Sequence, residues 1–192
     1  MAQYVLFISE DKLKDSTAIN MNVDVEFLLP FVKQAQKLYI ETALGTDLNQ
    51  KLKDLIIAGT LNNAGNEAYA TLVNTYIGDC LPNYAFYHAI PFLRFKVENG
   101  NIYSKTSETG VALTTEEAQH LRSEVMNTGE YYRERLIDYI RNNISSFPEY
   151  STNSGADVSP STDNYYAGMN LERPMQKGTK LTLRDFLTPD LT

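Results

Sequence analysis

The sequence predicts a mainly α protein: a helical bundle with a β-hairpin before the last long helix and an extended C-terminal arm. Three observations predict it. Apolar residues recur at three- and four-residue steps over most of the first 147 positions, the period of an amphipathic helix. That period breaks once, around Asn99-Gly100, where alternation takes over. From Pro148 to Thr192, Ser, Thr, Asn, Gly and Pro dominate and the apolar residues come in isolated pairs. The expected organisation is a helical domain over 1–147, with its hairpin at about 95–104, and a polar arm over 148–192.

Tyr4 to Ile8 is a short apolar run that reads as a strand or buried anchor. It lacks the cationic start and the length of a signal peptide or spanning helix, so no membrane association is expected. Ser9 with Glu10 and Asp11 marks a helix start, the hydroxyl capping free N–H groups and the acids suiting the dipole. Leu13 is the one clear apolar contact of that short helix. The next begins near Asp24 and carries Val25, Leu28, Leu29, Val32, Ala35, Tyr39 and Ala43 on one stripe. Pro30 sits inside the stripe, which predicts a kink or a helix beginning near Leu29. Gly45 is expected to end it as a left-handed cap, with Thr46 or Asp47 opening a helix through Leu48, Leu52, Leu55 and Ile56.

After Asn62-Asn63-Ala64-Gly65, Tyr69, Leu72, Val73, Tyr76 and Ile77 restore the helical period. The pattern runs through Cys80 and Leu81, is expected to break at Pro82, and resumes over Tyr84 to Leu93. It is apolar on nearly all sides, as the most buried helix of a bundle would be. Residues 95–104 then alternate around Asn-Gly, a two-residue turn that pairs Glu98 with Asn101 and sets Val97 opposite Ile102. Thr114 to Glu117 matches a capping box. The last long helix carries Ala118, Leu121, Val125, Tyr132, Leu136, Ile140 and Ile144 on one stripe and stops at Ser145-Ser146 and Pro148. The arm beyond buries too little to offset its ordering entropy, so contact with neighbouring subunits or partners is expected to order it. Lys180 to Leu183 alternates as an added strand would, and the arm could reach on the order of 150 Å if stretched.

Composition narrows function. Acidic side chains number 24 against 17 basic ones, a net charge of −7 with histidine neutral. A sequence-independent grip on nucleic-acid phosphates is therefore not expected. The single Cys80 forbids an internal disulfide and a cysteine-rich zinc site. His88, between Tyr87 and Ala89 in an apolar helix, reads as a core or interface histidine, and His120 as a solvated one. Cys80 and His88 are eight residues apart, about 12 Å along a helix, which is too far for a nucleophile and its base. Glu116-Glu117 and Glu130 with Glu134 read as a helix N-terminus and a solvated helix face. No catalytic, metal or cofactor site is expected. The 13 tyrosines suit half-buried surfaces, and Tyr131-Tyr132 and Tyr165-Tyr166 are expected to serve packing or subunit contact.

The segment Val23 to Gln36 leads to Tyr39-Ile40 and then Leu44-Gly45-Thr46-Asp47-Leu48; a hairpin precedes the last helix, and Asn142-Asn143 leads to Phe147-Pro148-Glu149-Tyr150. This ordered set, over roughly 4–150, resembles the small helical head–tail connector proteins of tailed phages, in the form seen in Bacteroidota phages. The resemblance implies a structural virion protein made in the host cytoplasm. It would form a homo-oligomeric, dodecameric neck ring between the portal protein and the tail or further neck proteins, with DNA passing through the lumen unbound. The arm departs from that pattern. A ring of head-to-tail contacts needs two different faces per subunit. The candidates are the hairpin (Val97, Asn99, Gly100, Ile102 and Tyr103), the outer face of the last helix, and the arm residues Tyr165, Tyr166, Leu181, Leu183 and Phe186. The alternatives are a non-catalytic helical interaction module of bacterial origin and a small enzyme using His88.

Overall fold

Two long helical rods carry most of the fold, and each contains a π-helical stretch that its apolar period did not announce. The computed structural model describes residues 4–19, 23–98, 101–104, 114–152 and 158–160. All of these fall within one unit, Met1–Thr162. The described protein is mainly helical.

The first rod comprises α2 (Val25–Ala35), a π stretch (Gln36–Ile40) and α3 (Glu41–Leu44). Asp24 caps it by accepting the Glu26 N–H at 3.0 Å. The rod begins at Val25 rather than near Leu29, with Pro30 inside α2. Proline removes one ladder bond, but Leu28 and Val32 on either side are buried, and that packing outweighs the loss. The π stretch turns Gln36 inward. Its Nε2 donates to the Val5 carbonyl at 2.8 Å, and its Oε1 accepts the Phe7 N–H at 3.1 Å. The N-terminal run is thus a buried anchor, with Val5, Phe7 and Ile8 in the core. It leads into α1 (Glu10–Asp15), capped by Ser9 and burying Leu13.

Gly45 ends the rod at φ 75° and ψ 166°. The positive φ agrees with the expectation, but ψ lies outside the left-handed helical well, in a region that essentially only glycine enters. The chain is thereby extended for a single residue before α4 (Thr46–Ile57), which buries Leu48, Leu52 and Leu55.

The second rod comprises α5 (Glu67–Thr71), a π stretch (Leu72–Ile77) and α6 (Gly78–Arg94). Pro82 does not interrupt α6 as expected. Its neighbours Leu81, Tyr84 and Ala85 are buried, so packing again carries the helix past one missing N–H. Without an intervening loop, α6 passes into β1 (Phe95–Glu98), which pairs antiparallel with β2 (Asn101–Ser104). Val97 lies opposite Ile102 and Glu98 opposite Asn101; Asn99 and Gly100 lie outside the described residues.

The last long helix is α7 (Thr115–Asn142). Its capping box forms: the Glu117 N–H donates to Thr114 Oγ1 at 3.2 Å, and the Thr114 N–H donates to Glu117 Oε2 at 2.8 Å. The Thr114 N–H, and then the Thr114 hydroxyl, which donates to the same Oε2 at 3.0 Å, hold the Glu117 carboxyl below its ordinary range. The expected stripe is buried only in part. Leu136 and Ile140 are enclosed, whereas Leu121 and Ile144 are exposed. The reason is that α7 meets the bundle mainly from Gly129 onward, where Gly129, Arg133, Leu136, Ile137 and Ile140 are buried.

The folded unit also reaches past the expected boundary at Pro148. Phe147 is fully buried, edge-on to Tyr69 with centroids 5.3 Å apart. It is followed by α8 (Pro148–Thr152), which buries Tyr150 and packs on α4. Two large aromatic rings bury enough surface to hold the segment that composition assigned to the arm. Residues 153–157 and 161–192 lie outside the described residues.

Candidate functional site

Of the expected contact residues, Val97, Ile102 and Tyr103 occupy register positions on β1 and β2. Asn99, Gly100, Tyr165, Tyr166, Leu181, Leu183 and Phe186 lie outside the described residues. On α7, Leu121 and Tyr131 are exposed, at 37% and 58%. No residue of the stretch 115–128 is buried. A second exposed apolar group was not foreseen. Phe27 and Phe31 of α2 lie 5.6 Å apart, and Phe31 lies 5.1 Å from Phe92 of α6, shortly before β1. Phe27 and Phe92 are both exposed. The signal was legible as a phenylalanine pair four residues apart, off the main stripe of α2.

Three helical segments bring aromatic and ionisable groups together where the first rod, α6 and α7 meet. Tyr39, in the first π stretch, stacks on the fully buried Tyr84 with centroids 3.8 Å apart and parallel planes. Its hydroxyl lies 3.1 Å from Nε2 of His88, which donates or accepts according to the ring's tautomer. The Arg122 guanidinium sits 4.3 Å from the centroid of Tyr87. Burial, and then the Arg122 charge, push His88 below its ordinary value, so its imidazole is neutral at neutral pH. His120 is exposed.

Cys80 is enclosed, its Sγ donating to the Gly129 carbonyl at 3.7 Å. Burial pushes the thiol well up, opposed by Arg133, so a thiolate is strongly disfavoured. Arg133 is itself buried and pairs with Glu130 at 3.6 Å. The Tyr84 hydroxyl lies near both Cys80 and Glu130, yet makes no well-formed hydrogen bond among the described residues. Chemically, this arrangement supplies packing and orientation, with a neutral imidazole and a protonated thiol. Among the described residues no three His, Cys, Asp or Glu side chains cluster as a metal site would require. No described helix is long and apolar enough to cross a membrane.

Residues 40–160 match the profile of DUF6712, a family of unknown function, over more than half of the chain. The chain belongs to that family. No curated protein and no solved structure matches it.

The DUF6712 span opens at Ile40, in the first π stretch, and closes at Pro160. A long-range contact joins two points inside it. The Thr46 N–H donates to the Val158 carbonyl at 3.0 Å, and the Val158 N–H donates to Thr46 Oγ1 at 2.9 Å. Pro160 packs on Gly45 so closely that a Cβ there would lie 2.7 Å from the ring carbons Cγ and Cδ. The first N–H of α4, a donor without an intrahelical partner, is thus capped from 112 residues away. This contact was not legible in advance, because Val158 and Pro160 sit in a stretch without periodicity.

Proposed function

We propose that this DUF6712 protein is a structural adaptor of a phage head–tail junction, forming a homo-oligomeric ring between portal and tail around the DNA channel. The observation that carries this reading is the order of elements: a helical bundle whose central helix runs directly into two short antiparallel strands, followed by the last long helix. In the finer description, the strands form a hairpin at about 95–104, and an extended arm follows the bundle. The resemblance over roughly 4–150 suggests the connector role, and the exposed apolar side chains on α7 (Leu121, Tyr131) and shortly before β1 (Phe92) are candidates for the two faces that a head-to-tail ring requires. The net charge of −7 suits a lumen wall, since adhesion to DNA grows with the number of phosphates neutralised.

Quantitative mass spectrometry of purified virions tests the proposal. The expected result is this chain at the copy number of the portal protein or a simple ratio to it. Its absence from virions ends the proposal. The reading as a small enzyme centred on His88 has the Tyr39 contact in its favour. An activity lost in His88→Ala while ring assembly persists is the result that would establish it.

A further inference from the structure

We infer that the outer face of α7 is a self-complementary contact for a second copy of this chain, in which Arg135 of each copy meets Asp138 of the other. The face is a stripe of Tyr131, Arg135, Asp138 and Asn142, all four exposed. Steps of four, three and four residues set them on one side of the helix, opposite the buried Arg133, Leu136, Ile137 and Ile140. Those steps read the same from either end. Two such helices laid antiparallel about a two-fold axis, centred between Leu136 and Ile137, therefore bring Arg135 to Asp138 and Tyr131 to Asn142, each pairing occurring twice. A parallel arrangement would set Arg135 against Arg135, so the charges select the antiparallel one.

Two observations point to this occupant. Arg135 and Asp138 stand three residues apart on α7, yet neither makes an ion pair with another described residue. Both charges are open to a partner that offers the complement, and a second copy offers it in the right order. Beside them lies a shallow groove of about 230 Å³, lined by Tyr76, Arg135, Asp138, Tyr139, Asn142 and Asn143. Its aromatic wall is the stacked pair Tyr76 and Tyr139, with centroids 4.2 Å apart. The volume lies under the roughly 300 Å³ at which small-molecule pockets begin, and accommodates one large side chain instead. The antiparallel register delivers one: Tyr131, strongly exposed, falls beside Asn142 of the second copy and so at the groove. Its ring can pack on aromatic rings while its hydroxyl bonds to an asparagine amide. Knob and groove thus belong to one stripe and are related by the same axis as the charges. The contact stands apart from the proposed ring, since an isologous pair closes on two copies whereas head-to-tail contacts use two different faces. Where Tyr131 serves the ring, pair and ring exclude each other, and the pair is the state of the free chain.

Sedimentation of the full chain at low salt, across a wide range of concentration, tests the contact. The native protein should pass reversibly from one copy to two. Arg135→Asp and Asp138→Arg, each alone, set like charges opposite one another and should weaken the pairing by about tenfold or more. The double variant restores opposite charges in the reversed order and should pair as the native chain does. That rescue also shows that the single variants fail in pairing rather than in folding. Tyr131→Ser, at an exposed position, should weaken the pairing without touching the charges. A native chain that stays single at every concentration would overturn the inference. So would single reversals or a Tyr131→Ser variant that pair like the native chain, or a double variant that does not recover. A native chain found only as a ring would overturn the pair and leave the ring standing; absence from virions would end the ring and leave the pair.

Discussion

The seam between α6 and α7 and the clasp that Val158 and Pro160 make on Thr46 and Gly45 are both long-range contacts, but they hold by different means. At the seam, Gly129 lets α7 approach Tyr84 so closely that an added Cβ would lie 3.1 Å from Tyr84 Cε1, and Leu136, Ile137 and Ile140 are enclosed alongside. Its strength comes from many dispersion contacts and excluded water, each small and all additive. At the clasp, Thr46 and Val158 share hydrogen bonds at 3.0, 2.9 and 3.4 Å, and Pro160 packs on Gly45. Hydrogen bonds that exchange with water contribute only about 1 kcal/mol each, so the clasp is specific without being strong. The seam makes a body; the clasp makes a position.

The sharpest way to break this comparison is Phe147→Ala. Phe147 is fully buried between Tyr69 and Tyr139 at the point where the composition turns polar. Its truncation should cost about 3–5 kcal/mol of global stability by denaturant titration, as for an aromatic core residue. A loss below about 1 kcal/mol would place it with the arm rather than the body. Gly45→Ala comes next, at roughly 1–3 kcal/mol from backbone strain. Limited proteolysis should show cleavage within 153–160 before the bundle is attacked. Resistance equal to that of the native chain would contradict the clasp.

Tyr69→Phe sharpens the comparison on the side of the body, because it removes a single bond from a packed site. The Tyr69 hydroxyl donates to Glu149 Oε2 at 2.9 Å, joining α5 to α8. A hydrogen bond to a charged acceptor contributes about 1.5 kcal/mol, and that is the expected loss in unfolding free energy. Burial and the Glu149 carboxylate push Tyr69 up to about 12 from an ordinary 10.0. The folded protein therefore holds this proton where the unfolded chain releases it. The contribution is complete below pH 10 and is lost as pH rises towards 12, a decline that Tyr69→Phe should lack. His88 gives the smallest effect and the opposite sign. Its folded value lies below the ordinary 6.5, so the unfolded chain takes up the proton first. Stability from this group is complete above pH 6.5 and falls as pH drops below it, and His88→Gln should flatten that part of the pH profile.

Legibility in the sequence followed the same division. The amphipathic elements were readable: the Ser9 and Asp24 starts, the capping box at Thr114, and the enclosed Leu48, Leu52, Leu136 and Ile140 all follow from period and capping chemistry. Pro82 misled as a break, and Pro30 as the mark of a start near Leu29, because a proline's local cost is visible in sequence whereas the packing that offsets it is not. The π stretches left no sign either. Gln36 shows its role only once Val5 and Phe7 lie across it. The clasp was invisible because the hydrogen bonds between Thr46 and Val158 and a glycine–proline contact have no period. Gly45 itself was flagged as a cap, and its second role needed Pro160 to be seen in place.

The adaptor reading meets its most direct test in a low-resolution image of the assembled particle, with this chain located by a fused marker. The account predicts one helical unit per ring position at the neck, between portal and tail, with the DNA channel passing through the ring. Density for the marker away from the neck, or none on the particle, would contradict it.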